Sequence, residues 1–341
     1  MVGGGTERVI AVLANYFVKQ DAKVTILLTA DSRVDYNLDT RIELIQISES
    51  TGGKFLGRLQ RLQKLRQYFC KHKDVAFLSF GTETNMFAIL ASAFLKINLV
   101  LSERNDPNQC EFARLRSMFY FFGKKFVFQT EDAKNYFSNR IRKRGIVIGN
   151  PITENLPNRY EGERRKVIAA VGRLDANKNH ELLIRAFEPF IEEFPEYCLY
   201  IYGKGELEGY LNDLIAQKNL MQSVKLQGFQ ENVLETIRDC AMYVLCSNSE
   251  GMPNSLMEAM AIGVPSIATD CPIGGAKMLI DDYENGILVP VGDVMALVTA
   301  LKELADKPQL ARKLSVESSK IKEDYSVEKI GEMWLEVVKC E

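Results

Sequence analysis

Two glutamates eight positions apart, Glu250 and Glu258, bracket the start of a helical run in "SEGMPNSLMEAMAIG" (residues 249–263). Pro253 suits a first helical turn, where its missing N–H costs nothing, so a helix is expected over about 254–262. The amides of Asn254, Ser255 and Leu256 then have no carbonyl partner inside the helix. With the positive end of the helix dipole they favour an anion such as a phosphate. A carboxylate on either side of that pocket repels the phosphate itself but accepts hydrogen bonds from hydroxyls. The spacing therefore suits a ligand whose phosphates sit between two polyols, sugar hydroxyls on one side and ribose hydroxyls on the other. The same residues carry a plainer reading. Ser255-x-x-Glu258 fits a capping box, with Glu258 purely structural and Glu250 a solvated loop acid.

A second group of residues tips the balance. "GRLDANKNHELLIRAF" (172–187) sets Arg173 and Lys178 between a strand-like run and a helix-like one. Two cations there can neutralise a departing diphosphate without a metal, or they can be ordinary surface charges. "IYGKGELEGYL" (201–211) and "LQGFQENV" (226–233) add glycine turns after two further strand-like runs. Several such turns at one sheet edge, beside the acidic helix, describe a nucleotide cleft.

The elements that must hold these residues alternate along the whole chain. Strands are expected over 23–29, 42–47, 75–80, 98–103 and 125–130 in the first half. In the second half they fall over 167–172, 198–203, 224–228, 242–247, 265–269 and 286–290. Helical spacing fills the intervals, including 7–19, 57–70, 84–95 and 131–143. This is the pattern of two doubly wound, Rossmann-like α/β domains. Pro151, Pro157, Gly149 and Gly162 interrupt the periodicity near 149–162. The expected organisation is thus a first domain over 1–150, a second over 151–314, and a terminal helix over 315–341 that returns to the first. One feature stands out at the start: "GGGTERVIAVLANYF" reads as a glycine turn into a helix, yet only Met1 and Val2 precede it. Such a turn normally follows a strand at the middle of the sheet, so the first strand of this domain is expected to be missing from the sequence.

Composition bounds the alternatives. The chain has 341 residues, 46% hydrophobic and 26% charged, as in ordinary globular proteins. The longest apolar stretch, 86–95, is too short to span a bilayer, and no secretory leader is visible at the start, which places the protein in the cytoplasm. Seven scattered cysteines, never spaced C-x-x-C, fit free thiols, and two histidines cannot build a histidine metal centre. The net charge of −2 hides an asymmetry. Residues 1–150 hold 23 Lys and Arg against 14 Asp and Glu, while 151–341 hold 20 against 31. The basic half faces an anionic partner. No nucleic-acid-binding pattern accompanies it, so an anionic membrane is the better match.

The motifs G-R-L-x-x-x-K, Y-G-x-G-E-L, L-x-G-F, E-G-x-P-x-S-x-x-E-A-x-A-x-G-x-P-x-I-A and N-G-x-L-V together resemble the group-1 (family 4) retaining glycosyltransferases of GT-B fold. The opening "GGGTERV" is similar to that family's first-domain glycine loop, so the likeness covers nearly the whole chain. It implies that Glu250 holds hydroxyls of a donor sugar, that Glu258 holds the ribose, and that Arg173 and Lys178 bind the diphosphate with help from amides near Ser255 and Leu256. Met252, Asn254, Gly203, Phe229, Gly275 and, from the first domain, Gly4 and Gly5 complete the implied donor site. It further implies a nucleotide-sugar donor, a UDP-sugar before any other, no cofactor and no metal, and hexosyl or N-acetylhexosaminyl transfer to a glycan or a polyprenyl-diphosphate-linked acceptor in polysaccharide or glycoconjugate synthesis. Two departures matter. Where many relatives carry a first-domain histidine near the reacting sugar, "LSERNDP" (101–107) offers Glu103 and Arg104. Either Arg104 takes over an electrostatic role there, or nothing replaces the histidine. Where relatives often carry an acid, "CPIGGAKMLI" (271–280) has Met278, although Gly274 and Gly275 still permit close backbone approach.

The basic first half then acquires a use. "KFLGRLQRLQKLRQYFCKHK" (54–73) sets Phe55, Leu59, Leu62, Leu65 and Phe69 at helical spacing among basic residues, and "RSMFYFFGKKF" (116–126) places aromatics beside cations. The first segment lies on an anionic membrane, or it packs on the core behind a solvated basic rim. A peripheral enzyme on the inner membrane face, acting on a lipid-linked glycan, is the expectation. Its rivals are a nucleotide-sugar-binding module without turnover and, with few acid/base residues to support it, a nucleotide-sugar epimerase.

Overall fold

Short β-branched and aromatic runs fold as parallel strands in both halves, most of them followed by a helix. The computed structural model describes residues 4–29, 33–47 and 54–339, with 54–56 by backbone alone. The chain divides into two compact units, Met1–Pro151 with Tyr325–Glu341, and Ile152–Asp324.

The first unit contains α1 (Gly5–Lys19), β1 (Thr25–Leu28), β2 (Glu43–Gln46), α2 (Lys54–Lys71), β3 (Ala76–Phe80), α3 (Thr82–Ala91), β4 (Asn98–Ser102), α4 (Ala113–Tyr120), β5 (Lys125–Phe128), α5 (Glu131–Asn135), α6 (Asn139–Arg142) and β6 (Gly145–Val147). Its strands form a two-stranded parallel sheet, β1-β2, and a four-stranded one, β3-β4-β5-β6. The place where a first strand was expected lies outside the described residues. Three expectations are revised. The helix expected over 84–95 stops at Ala91 and ends in turns, with Phe94 in the left-handed region at φ 63°. The helix expected over 131–143 breaks into two short ones around the buried ring of Phe137. In α2 the apolar face is divided: Leu65 and Phe69 are buried in the core, Leu62 is half-buried and Leu59 is exposed, while Phe55 lies outside the residues whose side chains are described.

The second unit contains β7 (Arg165–Val171), α7 (His180–Ile191), β8 (Cys198–Tyr202), α8 (Glu208–Gln217), β9 (Val224–Gly228), α9 (Val233–Ile237), β10 (Cys240–Leu245), α10 (Asn254–Ala261), β11 (Ser266–Thr269), β12 (Ile287–Val289), α11 (Val294–Asp306), α12 (Pro308–Ser318) and α13 (Ile321–Asp324). Six parallel strands run in the order β12-β11-β10-β7-β8-β9. The chain thus begins at β7, winds outward through β8 and β9, and returns to the other side of β7 with β10. Ligands of such sheets bind outside the strands' carboxyl ends where the winding reverses, here between β7 and β10. Leu182, Leu183, Ala186, Phe187 and Phe190 of α7 pack with Leu297 and Leu301 of α11 in the core that fixes this sheet.

The return to the first unit begins later than 315. Leu314, Ser315 and Ser318 of α12 are buried, and Ser315 Oγ donates to Gly263 O at 2.6 Å, tying them to the second unit. From Tyr325 the chain belongs to the first unit, where α14 (Val327–Lys339) packs on α1 and the buried Trp334 ring lies 5.4 Å from that of Phe80. Among the described residues every cysteine is a free thiol, and no helix is long and apolar enough to cross a membrane.

Candidate active site

The winding reversal leaves the loops after β7 and β10 side by side, and polar side chains seam them together. Asn177 Nδ2 donates to Ser249 O at 2.8 Å, the Asn248 amide to Asn177 O at 2.8 Å, Asn248 Nδ2 to Ala176 O at 2.9 Å, and Asn179 Nδ2 to Asn248 Oδ1 at 3.0 Å. Across this seam Lys178 Nζ pairs with Glu250 Oε1, which also accepts from Ser247 Oγ at 2.6 Å. Both charged side chains are largely shielded, at 17% and 13% exposure. The Lys178 amide is fixed in turn by Asp175 Oδ1 at 2.9 Å. Arg173 belongs to the same loop but stands at its solvent edge, 78% exposed and 3.1 Å from Asp175 Oδ2.

Glu258 is buried one turn inside α10. The capping-box reading does not hold: α10 starts at Asn254 behind Pro253, which makes no side-chain cap, so Ser255 lies inside the first turn. The Ser255 hydroxyl bonds instead with Tyr243 of β10, and both Glu250 and Glu258 act on that phenol, whose pKa is raised mainly by burial and then by these two charges. Lys178 and Glu250 therefore meet ahead of α10, and Glu258 lies one turn inside that helix. Leu256 and Met252 are buried there.

Two glycines bring the backbone close enough to form it. Gly203, after β8, has φ +145°, and a Cβ on it would stand 1.8 Å from Gly172 O. Gly275, after β11, sits so close to the 251–253 turn that a Cβ would stand 2.0 Å from Gly251 O. Phe229, after β9, is 71% exposed, two strands away from β7. Among the described residues no three His, Cys, Asp or Glu side chains are grouped to hold a metal.

His180 was not singled out by its sequence position, yet it opens α7 directly behind this loop. It is buried, its ring is bonded to the main chain of Arg173 and Gly172, and its Nε2 has no partner. Burial, then the charge of Lys178, lowers its pKa to about 4. An unfolded chain takes up this proton near pH 6.5, so between about 6.5 and 4 the unfolded state binds more protons and stability rises with pH. The contribution is complete above the unfolded value and is lost as pH falls towards the folded one. Urea unfolding of the wild type is expected to weaken on acidification by up to about 1.4 kcal/mol per pH unit more than that of His180→Asn across this window. Parallel slopes for the two proteins would contradict it.

In the first unit, Glu103 and Arg104 follow β4 at the carboxyl edge of its sheet. They lie in a polar cluster with the half-buried Thr82 after β3 and the buried Gln129 after β5 and Asn150 after β6. The two Glu103 oxygens are taken, one by Thr82 Oγ1 and one by Tyr120 OH, each at 2.6 Å. Burial raises its pKa against these bonds. Arg104 is held differently. Its Nη2 donates to Asn150 Oδ1, but its Nε and Nη1 have no partner, and burial pulls its pKa down to about 9 although Glu103 opposes the shift. Gly4 and Gly5 open α1, where the Gly4 carbonyl accepts from Tyr36 OH at 2.6 Å. The Glu7 carboxylate folds over Gly4, 2.1 Å from where a Cβ would sit, so this helix end carries its own anion.

Periodicity offered no signal for the seam asparagines, for Ser247 and Tyr243, or for the partners of Glu103. The trace is chemical: polar runs such as "SNSEG" (247–251) after apolar strands are the segments that line a sheet's carboxyl edge.

Residues 152–320 match the family described as glycosyl transferases group 1. An uncharacterized glycosyltransferase of Haemophilus influenzae is 27% identical over 97% of this chain and 95% of its own length. The GalNAc-alpha-(1->4)-GalNAc-alpha-(1->3)-diNAcBac-PP-undecaprenol alpha-1,4-N-acetyl-D-galactosaminyltransferase of Campylobacter jejuni is 27% identical over 98% and 95%. The crystal structure of Anabaena HepE in complex with UDP and glucose superposes with a TM-score of 0.83 at 18% identity, covering 99% of this chain and 96% of that one, and shares the GT-B fold.

Proposed function

Because the chain carries a glycosyl transferases group 1 domain over residues 152–320, we propose that it is a retaining, metal-independent glycosyltransferase using a UDP-sugar, with hexosyl or N-acetylhexosaminyl transfer to a glycan on a polyprenyl diphosphate at an anionic membrane surface. One observation carries the reading: the hydrogen-bonded seam between the loops after β7 and β10, which sets Lys178, Glu250 and the amino end of α10 at the winding reversal. The acceptor in the Campylobacter relative's name and the UDP bound to HepE support the acceptor and donor classes.

In this reaction the bond between the sugar's anomeric carbon and the β-phosphate oxygen breaks, and its electron pair goes to that oxygen. The growing negative charge meets Lys178, Arg173 and the amides at Ser255 and Leu256. An ammonium has three N–H donors, so Lys178 can keep Glu250 and still turn two towards phosphate. The acceptor hydroxyl forms its bond on the face the phosphate leaves, and its proton passes to the departing phosphate oxygen. Glu250 accepts from sugar hydroxyls and Glu258 from the ribose. In the first unit, Arg104 keeps two unpartnered guanidinium nitrogens for an electrostatic role towards a sugar, whereas the Glu103 carboxylate is already engaged.

The test is UDP release from a panel of UDP-hexoses and UDP-N-acetylhexosamines, with and without a polyprenyl-diphosphate glycan, in the presence and absence of EDTA, with product configuration read by NMR. Acceptor-dependent release that EDTA leaves unchanged, giving an α product from an α donor, is expected. UDP binding without release from any sugar would make the chain a silent binding module. An inverted product would overturn retention, and loss of activity in EDTA would overturn metal independence.

A further inference from the structure

A surface helix of a globular protein buries its apolar stripe and shows its polar one. Helix α4 does the reverse. The side chains it buries completely are Arg116 and Tyr120. Arg116 stacks against the rings of Tyr136 and Phe137 and donates to Pro107 O at 3.0 Å, and Tyr120 donates to Glu103. The side chains it turns outward include, beside the polar Arg114 and Ser117, Leu115 at 43% and Met118 at 56% exposure, continued by Phe112 at 59% before the helix and Phe122 at 68% beyond it. Spaced by three, three and four, these four follow one another along a single stripe. Phe121, 47% exposed, adjoins it. So contiguous an apolar surface marks a place where something else binds.

We infer that the α4 stripe is the surface that inserts into the interface of an anionic membrane, an inference that rests on the membrane-borne acceptor proposed above. Charge selects this occupant. Arg140 lies 3.9 Å over the Phe121 ring, and Arg144 donates to the carbonyls of Phe121 and Gly123 at 3.2 and 2.6 Å. Arg114 and Lys124 are exposed beside the stripe. Aromatic rings rimmed by cations match the boundary between acyl chains and anionic headgroups, where rings sit at headgroup depth and cations meet lipid phosphates. A second copy of the same positive face would be repelled instead. Helix α2, richer in cations, offers a smaller apolar part: Leu65 and Phe69 are spent on the core, and among its described large apolar side chains Leu59 alone is exposed.

The triple variant Phe112→Ser, Met118→Ser, Phe122→Ser alters exposed side chains only, so the fold is retained. Sedimentation with phosphatidylglycerol-containing vesicles at low salt is expected to show wild-type binding and a loss of at least about 30-fold in the variant. UDP affinity should stay unchanged in both proteins. Phe122→Trp should in addition show a blue-shifted emission, quenched by brominated lipid, when vesicles are added. A triple variant that sediments like wild type would overturn the inference while leaving the membrane reading in place. Wild-type protein that ignores anionic vesicles would bring down both. A wild-type dimer that the triple variant dissociates, without vesicle binding, would assign the stripe to a second copy.

Discussion

Glu250→Gln is expected to lower kcat/KM for sugar transfer by about a thousandfold while the protein stays folded, the scale on which one preorganised electrostatic group acts. The glutamine keeps the shape of the side chain but not its charge. In the wild type, Oε1 takes both the Lys178 ammonium and the Ser247 hydroxyl, so on the proposed mechanism Oε2 is the oxygen that accepts from a sugar hydroxyl. Neutralising the carboxylate removes the negative potential beside a sugar whose anomeric carbon gains positive charge as the bond breaks. It also releases Lys178 from the position in which the seam holds it. The loss should fall mainly on kcat, because the charge develops only in the transition state, with donor KM changed far less. Lys178→Met should cost about a hundredfold or more on its own. The double variant should cost well below the product of the two, since partners in one ion pair act as a unit. Initial rates of UDP release at saturating acceptor measure all three. An activity within tenfold of wild type for Glu250→Gln would remove this residue from the chemistry.

The sequence made the alternation of elements legible because strands in parallel sheets are short apolar runs and helices repeat at 3.6 residues. The strand expected over 224–228 is observed there, and those expected over 98–103 and 198–203 end one residue early. Motif residues were legible for a different reason: most stand in the segment between a strand and the following helix or in that helix's first turns, so their place near the carboxyl edge follows from topology. What was not legible is how those residues pair. Lys178 and Glu250 were read as serving separate parts of a ligand, and the structure joins them across 72 positions of sequence. Thr82 and Tyr120 close on Glu103 from 21 and 17 positions away. No period links such residues. They meet because neighbouring strands in the sheet are distant in the chain. The inverted helix α4 was hidden by the same limit, since its pattern shows apolar and polar faces but not which one the sheet receives. The buried Arg116 is the misleading residue: its charge points to solvent, whereas the Tyr136 and Phe137 rings and the Pro107 carbonyl give it a place inside.

The same topology makes one glycine more sensitive than its neighbours. Gly203→Ala is expected to destabilise the second unit by about 3 kcal/mol or more. Its φ of +145° is a conformation that side-chain-bearing residues rarely adopt, and a methyl group there would stand 1.8 Å from Gly172 O. Neither side can yield. The Gly203 amide donates to Gly228 O at 2.8 Å, which holds it to β9. Gly172 is bonded to Tyr202 O at 3.0 Å and begins the loop that Asn177 and Asn179 tie to residues 248 and 249. Relief of the clash must therefore move the loop that carries Arg173 and Lys178, so donor affinity should fall together with stability. Thermal unfolding should shift down by roughly 10 °C. Gly209→Ala provides the contrast, because Gly209 lies in α8 with open space around its would-be Cβ. There the gain in helix propensity should stabilise the protein by about 0.5–1 kcal/mol. Equal melting temperatures for the two variants would mean that the packing of Gly203 against Gly172 does not hold the loop after β7 in place.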